Sequence, residues 1–270
     1  MRLTVLGCGT AKPRPETPAS GILVESESNQ LLLDCGPGVI NRLAQRMDPR
    51  ALSAIAISHL HADHYLDLAA MRYLFPWAGH AGPRIPVHVP PGGLKRIAAL
   101  CIAISERPGF FDDAFDIREY DPEGSIGVGD LRVSFVGARH YVPAWSIVVD
   151  DGGARRLVYS GDTGPNDRLL EVARTADLLV LEATFASPAE DEAERGHLTA
   201  DEAIEIAESV GVPRGLIVHY PAERRAEIER RCALAGGRVV TGAPGMSLTV
   251  GEPAVIARDG ASTPRRLAVS

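Results

Sequence analysis

The sequence predicts an α/β protein, and three observations support this class. The chain has 270 residues, which suits one large α/β domain or two small ones. Short apolar runs, such as residues 53–57, have the length and composition of buried strands. A helical pattern follows at residues 65–74, and a Thr-x-x-Glu capping box at residues 199–202 opens another helix. Because no linker interrupts this alternation, we expect one domain over residues 1–250 and a polar tail over residues 251–270.

Composition and charge restrict the class further. Apolar residues make up 45% and charged residues 23% of the chain, which is ordinary for a globular protein. The net charge of −7 argues against a broadly basic nucleic-acid-binding surface, although a local basic patch stays open. The four cysteines form no C-x-x-C pair, which predicts scattered thiols in a reducing compartment. We find no signal-peptide pattern and no apolar run of about 18 residues, so we expect a cytoplasmic protein with no membrane partner.

The first elements along the chain are strands. Residues 2–6 predict one strand, and residues 20–25 and 30–34 predict two more that are joined by a polar turn. A Gly-x-Gly turn and a proline-rich loop lie between the first and second strands. This turn is not a G-x-G-x-x-G motif and no helix pattern follows it, so a tight turn is favoured over a phosphate cradle. Lys12 and Arg14 of the loop are candidates for binding an anionic substrate.

Three histidines and one aspartate follow the apolar run that precedes residue 58, in the pattern H-x-H-x-D-H over residues 59–64. His59 and His61 are two residues apart, so on extended backbone their side chains point to the same side. We expect Asp63 and His64 in the turn before the helix, aimed at a second point nearby. Imidazole and carboxylate groups bind zinc, manganese and iron. Four ligands from one short stretch would be cramped around one ion, which favours two ions completed by ligands from elsewhere.

Further candidate ligands come directly after other predicted strands. They are His140, Asp162 and His219. A single histidine or aspartate at a strand end is a weak signal on its own, and an aspartate in a turn is the plain alternative for Asp162. Together with the first cluster, they form a set of the residue types that metals prefer.

The H-x-H-x-D-H pattern and the Ser-Gly-Asp-Thr run at residues 160–163 resemble the signatures of the metallo-β-lactamase fold superfamily of hydrolases. The resemblance covers roughly residues 1–250 and implies a four-layer αββα sandwich, with two mixed sheets and outer helices. It also implies two divalent metal ions, with zinc favoured over manganese or iron. The implied ligands are His59, His61 and His140 for one ion and Asp63, His64 and His219 for the other, with Asp162 between them.

The same resemblance assigns a supporting role to Asp34. Superfamily members usually carry an acidic residue before a glycine at this place, behind the metal site. Asp34 would then orient a histidine ligand through the ring nitrogen that does not bind metal. A turn that simply opens the next helix is the alternative.

Two further motifs resemble the ribonuclease Z-like phosphodiesterases of this superfamily: Glu-Ala-Thr-Phe at residues 182–185 and Gly-His-Leu-Thr at residues 196–199. In that branch the histidine is thought to donate a proton to the leaving alkoxide while the glutamate holds it. The resemblance therefore implies catalytic roles for Asp63, His197 and Glu182. A histidine that merely flanks a helix is the alternative for His197.

The substrate prediction depends on a difference from the tRNA-cleaving members. Those enzymes carry a long arm where this chain has a short connection at residues 150–154. Phosphate contacts dominate nucleic-acid binding, so the missing arm and the negative charge favour a small phosphodiester such as a cyclic nucleotide. A tRNA 3′-processing endonuclease is the second candidate, and a non-catalytic metal-binding scaffold or regulatory protein is the third.

Two aromatic residues, one segment and the oligomeric state have open interpretations. Tyr141 and Trp145 could stack on a nucleobase of the substrate, with packing as the alternative. Residues 105–118 mix aromatic and charged side chains and predict a lid, a dimer contact or a plain connection. We expect the protein to be a homodimer.

Overall fold

The computed structural model describes residues 1–77, 82–153 and 155–252. Within these residues the strands form two mixed sheets of seven strands each. In each sheet, antiparallel strands occupy one side and parallel strands the other. The last described strand returns to pair with the first, so both ends of the described chain lie in the same sheet.

The first sheet contains the strands of the N-terminal half and the last strand. These are β1 (Arg2–Gly7), β2 (Gly21–Glu25), β3 (Gln30–Leu33), β4 (Ala54–Ala56), β5 (Ile85–Val89), β6 (Phe115–Glu119) and β14 (Ser247–Thr249). Their spatial order is β14-β1-β2-β3-β4-β5-β6. The strands from β14 to β3 pair antiparallel, and those from β3 to β6 pair parallel.

The second sheet repeats this plan in the C-terminal half. Its strands are β7 (Ser125–Val128), β8 (Leu131–Gly137), β9 (Trp145–Asp150), β10 (Arg156–Tyr159), β11 (Leu178–Glu182), β12 (Gly215–Val218) and β13 (Val239–Thr241). Their spatial order is β13-β12-β11-β10-β9-β8-β7. The strands β7 to β10 pair antiparallel, and those from β10 to β13 pair parallel.

Helices connect the parallel strands. They are α1 (Val39–Ala44), α2 (Ala62–Tyr65), α3 (Asp67–Met71), α4 (Gly93–Ser105), α5 (Asp167–Ala173), α6 (Ala200–Ser209) and α7 (Arg225–Leu234). The Asn166 side chain caps α5 by accepting from the Arg168 N–H. The predicted capping box of α6 is present, because Thr199 and Glu202 each accept from the other's backbone N–H.

The burial pattern divides the chain into four layers. Leu31 and Leu33 of β3 are buried in one cluster with Val148 of the second sheet. Leu32 points to the opposite face and is buried with residues of the helices, such as Ile97 of α4. Since side chains alternate along a strand, the first sheet has one face against the second sheet and one against helices. The predicted α/β class and the four-layer αββα sandwich are confirmed.

The helix after the histidine motif begins earlier than the sequence pattern predicts. It starts at Ala62, so Asp63 and His64 lie in the first helical turn and not in a preceding loop. An acidic side chain in a first turn is favoured by the helix dipole, and His61 is still extended, with φ −80° and ψ 149°. The helical pattern then breaks into α2, α3 and a 3₁₀ turn at Arg72–Leu74.

Residues 105–118 run from the end of α4 into β6 and pack against the rest of the chain, which favours the plain connection among the three interpretations. Phe110 and Phe111 are buried in the hydrophobic cluster between the first sheet and its helices, which includes Ile97 of α4. The fully buried Arg72 holds this segment, because its guanidinium donates to the Phe110 carbonyl at 2.6 Å and to the Asp113 carboxylate at 2.8 Å. It also donates to the Phe75 carbonyl at 3.0 Å.

Several smaller expectations have outcomes in the described part of the chain. The four cysteines, Cys8, Cys35, Cys101 and Cys232, are buried and unpaired, and burial raises the pKa of the Cys8 thiol to about 11. None of the described helices has both the length and the apolar character needed to cross a bilayer. Of the predicted polar tail, residues 253–270 lie outside the described residues.

The Arg72 contacts generate a stability prediction. Arg72→Met should destabilise the fold by about 1–3 kcal/mol, because it removes the buried guanidinium that donates to the carbonyl of the buried Phe110. Urea unfolding followed by circular dichroism measures this difference. The matched control is Arg2→Met, since the Arg2 side chain is 51% exposed, against 0% for Arg72, and its ion pair with Glu25 should contribute about 0–1 kcal/mol. Equal losses in both variants would contradict the role given to Arg72.

Candidate metal centre

The predicted site residues lie at one edge of the two sheets. The 58–64 segment follows β4, His140 follows β8, Asp162 follows β10, and His219 follows β12. A β-bridge between His59 and Ala144 joins the two sheets at this edge. The fold therefore converts positions that are up to 160 residues apart in sequence, such as His59 and His219, into neighbours.

The first ligand cluster consists of His59, His61, His140 and Asp162, whose ligand atoms all lie within 4.8 Å of one another. His61 Nδ1 lies 2.9 Å from His140 Nε2 and 3.2 Å from His59 Nε2. His59 Nε2 lies 3.7 Å from Asp162 Oδ2. Burial lowers the pKa values of His59, His61 and His140, which favours the neutral imidazole that can bind a metal ion.

The second ligand cluster consists of Asp63, His64, Asp162 and His219, and all four residues are buried. His219 Nε2 lies 3.1 Å from Asp63 Oδ2, and His64 Nε2 lies 3.3 Å from Asp162 Oδ2. Asp162 belongs to both clusters and is thus the point at which they meet.

Asp162 gives a test of whether these residues fit a metal ion. Its Oδ1 atom is buried and makes no hydrogen bond in the described part of the chain, although His219 Nδ1 lies 3.3 Å away. A buried carboxylate oxygen without a donor is unfavourable unless a cation is close to it. Carboxylate and imidazole atoms in sets of four are also ligands that divalent transition metals accept. The residues of both clusters therefore fit divalent ions.

Asp34 lies behind both clusters and is fully buried. Its Oδ2 atom lies 2.7 Å from His64 Nδ1, which leaves His64 Nε2 to face the second cluster. It also accepts from the Ser58 hydroxyl at 2.8 Å, and that hydroxyl lies 3.0 Å from His59 Nδ1. One carboxylate is thus linked to a histidine of each cluster.

Two supporting residues were not singled out by the sequence analysis. The buried Tyr159 hydroxyl donates to Asp34 at 2.8 Å, and the Thr184 hydroxyl lies 2.9 Å from His219 Nδ1. Tyr159 is the last residue of β10 and Thr184 follows β11 by two residues, so a hydroxyl at or just after a strand end is the local signal that could have indicated each. Because the partners are 125 and 35 residues away, the pairing itself is not visible in the sequence.

His197 and Glu182 form a hydrogen-bonded pair beside the clusters. His197 Nδ1 lies 2.7 Å from Glu182 Oε1, and Glu182 is fully buried. The Thr163 and Thr184 backbone N–H groups donate to the two oxygens of the same carboxylate at 2.9 and 3.0 Å, which fixes its orientation. Burial alone would lower the pKa of His197, but the Glu182 carboxylate raises it to about 9. His197 Nδ1 is also only 3.9 Å from Asp162 Oδ2.

Tyr141 supports the loop that carries His197. Its hydroxyl donates to Asp191, and its ring lies against Gly196, where a Cβ atom would be 2.3 Å from the ring. The Gly196 carbonyl in turn lies 2.8 Å from His140 Nδ1 and accepts from it. Tyr141 therefore has a packing and hydrogen-bonding role within the loop, in addition to its exposed edge.

The other predicted substrate-binding residues have different positions. The Trp145 ring packs edge-on against Tyr120 and lines a surface pocket that contains none of the ligand residues, which favours the packing alternative, and its contact with substrate stays a prediction. Alternation along β9 turns its side chain to that face. Lys12 and Arg14 lie in the loop after β1, and Arg14 lines a pocket of about 310 Å³ that reaches Asp63.

An αββα sandwich with histidine and aspartate clusters at the sheet edge is a metallo-hydrolase fold. The sequence model described as the beta-lactamase superfamily domain matches residues 29–220, and the chain belongs to this superfamily. The Mycobacterium leprae protein ML1173 is 35% identical over 231 residues, which cover 82% of this chain and 78% of the relative.

Two further comparisons concern a named enzyme and a solved structure. The ribonuclease Z of Ignicoccus hospitalis is 28% identical over 270 residues, covering 82% of this chain and 88% of the relative. The metallo-beta-lactamase fold protein YhfI from Bacillus subtilis superposes with a TM-score of 0.78 at 24% identity, covering 92% of this chain and 99% of that chain. The predicted relationship to the superfamily and to ribonuclease Z-like proteins is confirmed.

The position of Asp34 generates a prediction about metal affinity. Asp34→Asn should weaken metal binding by about 10–100-fold, because the amide cannot accept from the imidazole and the hydroxyls in the same way. Competition with a chelator, followed by elemental analysis, measures the effect. Asp130→Asn is the matched control, since that exposed carboxylate also accepts from side chains but lies away from both clusters. Equal affinities in both variants would contradict the supporting role of Asp34.

Proposed function

We propose that this protein is a metal-dependent hydrolase that cleaves a small phosphodiester, such as a cyclic nucleotide. The observation that carries the proposal is the pair of His197 and buried Glu182 beside two metal-binding clusters. An alkoxide leaving group needs a proton, and an imidazole held by a carboxylate can donate one near neutral pH. A metal-binding scaffold would have no use for such an acid.

Two divalent ions would be held by this chain, one in each ligand cluster, with Asp162 shared between them. When bound, such ions make water nucleophilic near neutral pH and polarise a phosphoryl oxygen. Zinc is the favoured ion, with manganese and iron as alternatives, because the donors are imidazole and carboxylate groups. Asp63 would hold one ion and, with its second oxygen, orient the attacking water.

The protein residues around the ions have separate tasks in this mechanism. Asp34 and Thr184 orient histidine ligands of the second cluster. Since His197 Nδ1 faces Glu182, the proton would leave from Nε2, on the other side of the ring. The raised pKa of His197, about 9, keeps this residue protonated at neutral pH, and cations bound nearby would bring the value down toward that range.

A small substrate is supported by charge and by the connection between β9 and β10. The chain has a net charge of −7, and the register pairs Asp150 with Arg156. The two strands are therefore joined by a tight connection, part of which lies outside the described residues, with no length for an arm. Nucleic-acid binding depends on many phosphate contacts, which such a surface does not favour.

A ribonuclease Z-like tRNA 3′-processing endonuclease is the second candidate, favoured by the 28% identity to the Ignicoccus hospitalis ribonuclease Z. The same His197–Glu182 pair would serve either enzyme, so the pair does not separate them. The homodimer, the cytoplasmic location and the single domain over residues 1–250 stay predictions.

The acid role of His197 can be tested by varying the leaving group. His197→Ala should slow hydrolysis of alkyl phosphodiesters by about 10²–10⁴-fold, yet spare aryl esters whose leaving groups need no proton. Steady-state kinetics on both ester classes, with metal content measured in parallel, check this. His88→Ala is the matched control, because His88 lies in β5 outside both clusters. Losses of the same size on both ester classes would refute the acid role.

The substrate class can be tested with four compounds and one enzyme preparation. We expect hydrolysis of cyclic AMP and bis(p-nitrophenyl) phosphate, little trimming of a pre-tRNA, and none of a thioester. Elemental analysis of that preparation should give about two transition-metal ions per chain. Rapid pre-tRNA trimming without action on cyclic AMP would make the endonuclease the better proposal, and less than one ion per chain would refute the ligand assignment.

A further inference from the structure

A pocket of about 310 Å³ opens beside the candidate metal centre, and its walls carry little free charge. The loop between β1 and β2 forms most of it, and Asp63 is one of its lining residues. Prolines, alanines and threonines make up most of the lining, and the charged lining residues are Arg14, Glu16 and Asp63. A group attached to a diester at the metal centre would extend into this pocket.

The two cations of the loop are already engaged. Glu223 lies 3.1 Å from Lys12 Nζ through one oxygen and 2.9 Å from Arg14 Nη2 through the other. A backbone hydrogen bond and the Lys12 ammonium lower the pKa of Glu223 to about 2, so this carboxylate is ionised at neutral pH. Of these three residues only Arg14 lines the pocket, and Glu223 and Lys12 meet it at the rim through their ion pairs.

Both sides of these ion pairs are held in place by backbone contacts. The Gly9 N–H donates to the Pro18 carbonyl at 2.9 Å and closes the base of the loop. Glu223 lies in the 3₁₀ turn Ala222–Arg224, directly after the strand end that carries His219. The Tyr220 N–H donates to the Cys8 carbonyl at 3.3 Å, so this turn is attached to the start of the same loop.

We propose that Glu223 is a specificity-determining residue that excludes a second phosphate from this pocket. It occupies both cations and adds a negative charge, so an incoming phosphate must displace a carboxylate and is repelled by it. The pocket then favours an uncharged, largely apolar group on the diester. This inference rests on the proposed phosphodiesterase function and concerns the part of the substrate that does not react.

The test compares two esters that differ by one phosphate. Thymidine 5′-(p-nitrophenyl phosphate) carries the diester alone, and its 3′-phosphorylated form carries an additional phosphate monoester. In Glu223→Gln the ratio of KM for the phosphorylated ester to KM for the other should fall on the order of tenfold. The change should shrink at high salt, because the freed cations are exposed.

Three further variants test whether a change in the KM ratio comes from the freed cations or from damage to the loop. Glu223→Asp keeps the charge and should keep the discrimination. Adding Lys12→Gln and Arg14→Gln to Glu223→Gln should abolish the gain. Glu229→Gln removes the same charge from α7, where Glu229 pairs with Arg225, and should leave the KM ratio unchanged.

A binding measurement keeps the inference independent of turnover. Calorimetry of the metal-loaded protein with thymidine 3′,5′-bisphosphate and with thymidine 5′-monophosphate should show about tenfold tighter bisphosphate binding in Glu223→Gln. If both ligands gain equally, or neither does, the role of Glu223 is refuted while the diesterase proposal stands. If wild type hydrolyses neither ester, the diesterase proposal fails, and the calorimetry still decides the role of Glu223.

Discussion

The buried carboxylate of Asp162 is the constraint on which the centre depends. An ionised carboxylate inside a protein costs several kcal/mol unless charges or donors compensate it. Although burial opposes ionisation, the imidazoles of His219 and His64 hold the pKa of Asp162 well below its usual range. One of its oxygens nevertheless makes no hydrogen bond in the described structure. A bound cation would compensate this carboxylate, and histidines from both sheets converge on it.

Several residues around the pocket and the candidate metal centre have strained, left-handed backbone conformations. Among the described residues, the non-glycine positions with positive φ are Glu16, Asp34, Glu106, Arg195 and His219. Glu16 lines the pocket, Asp34 and His219 belong to the centre, and Arg195 is two residues from His197. Left-handed backbone at such residues costs on the order of 1–3 kcal/mol each. The apolar cores on both faces of the sheets supply the stability that holds these positions, so strain collects where side chains must be aimed.

The short strands, several helices and the first four candidate ligands have local signals in the sequence, whereas the four-layer sandwich and the complete ligand set were implied by the resemblance to the superfamily. The H-x-H-x-D-H pattern places four side chains by spacing alone, and the capping box at Thr199 fixes the start of α6. The start of α2 at Ala62 was missed, because the metal-binding motif overlaps the first helical turn there. Tyr159 and Asp34 are 125 residues apart, and Lys12 and Glu223 are 211 apart. Such pairs depend on how the two sheets pack, and no local pattern encodes them.

The structure also separates the parts that would set reactivity from those that would set selectivity. The candidate ligand residues lie directly after strand ends or in a short helix, and Asp34 restricts the rotation of His64, as Glu182 does that of the neighbouring His197. Lys12, Arg14 and Glu223 lie on exposed loops, where a charge can change at little cost to the fold. The diester that we propose as substrate carries one negative charge, which the two proposed ions with their two ligand carboxylates would balance. A second phosphate in the pocket would need cations of its own, and the two cations of the pocket loop, Lys12 and Arg14, are paired with a carboxylate. The charge balance at the loop, in addition to the pocket volume, would then limit which groups the substrate can carry.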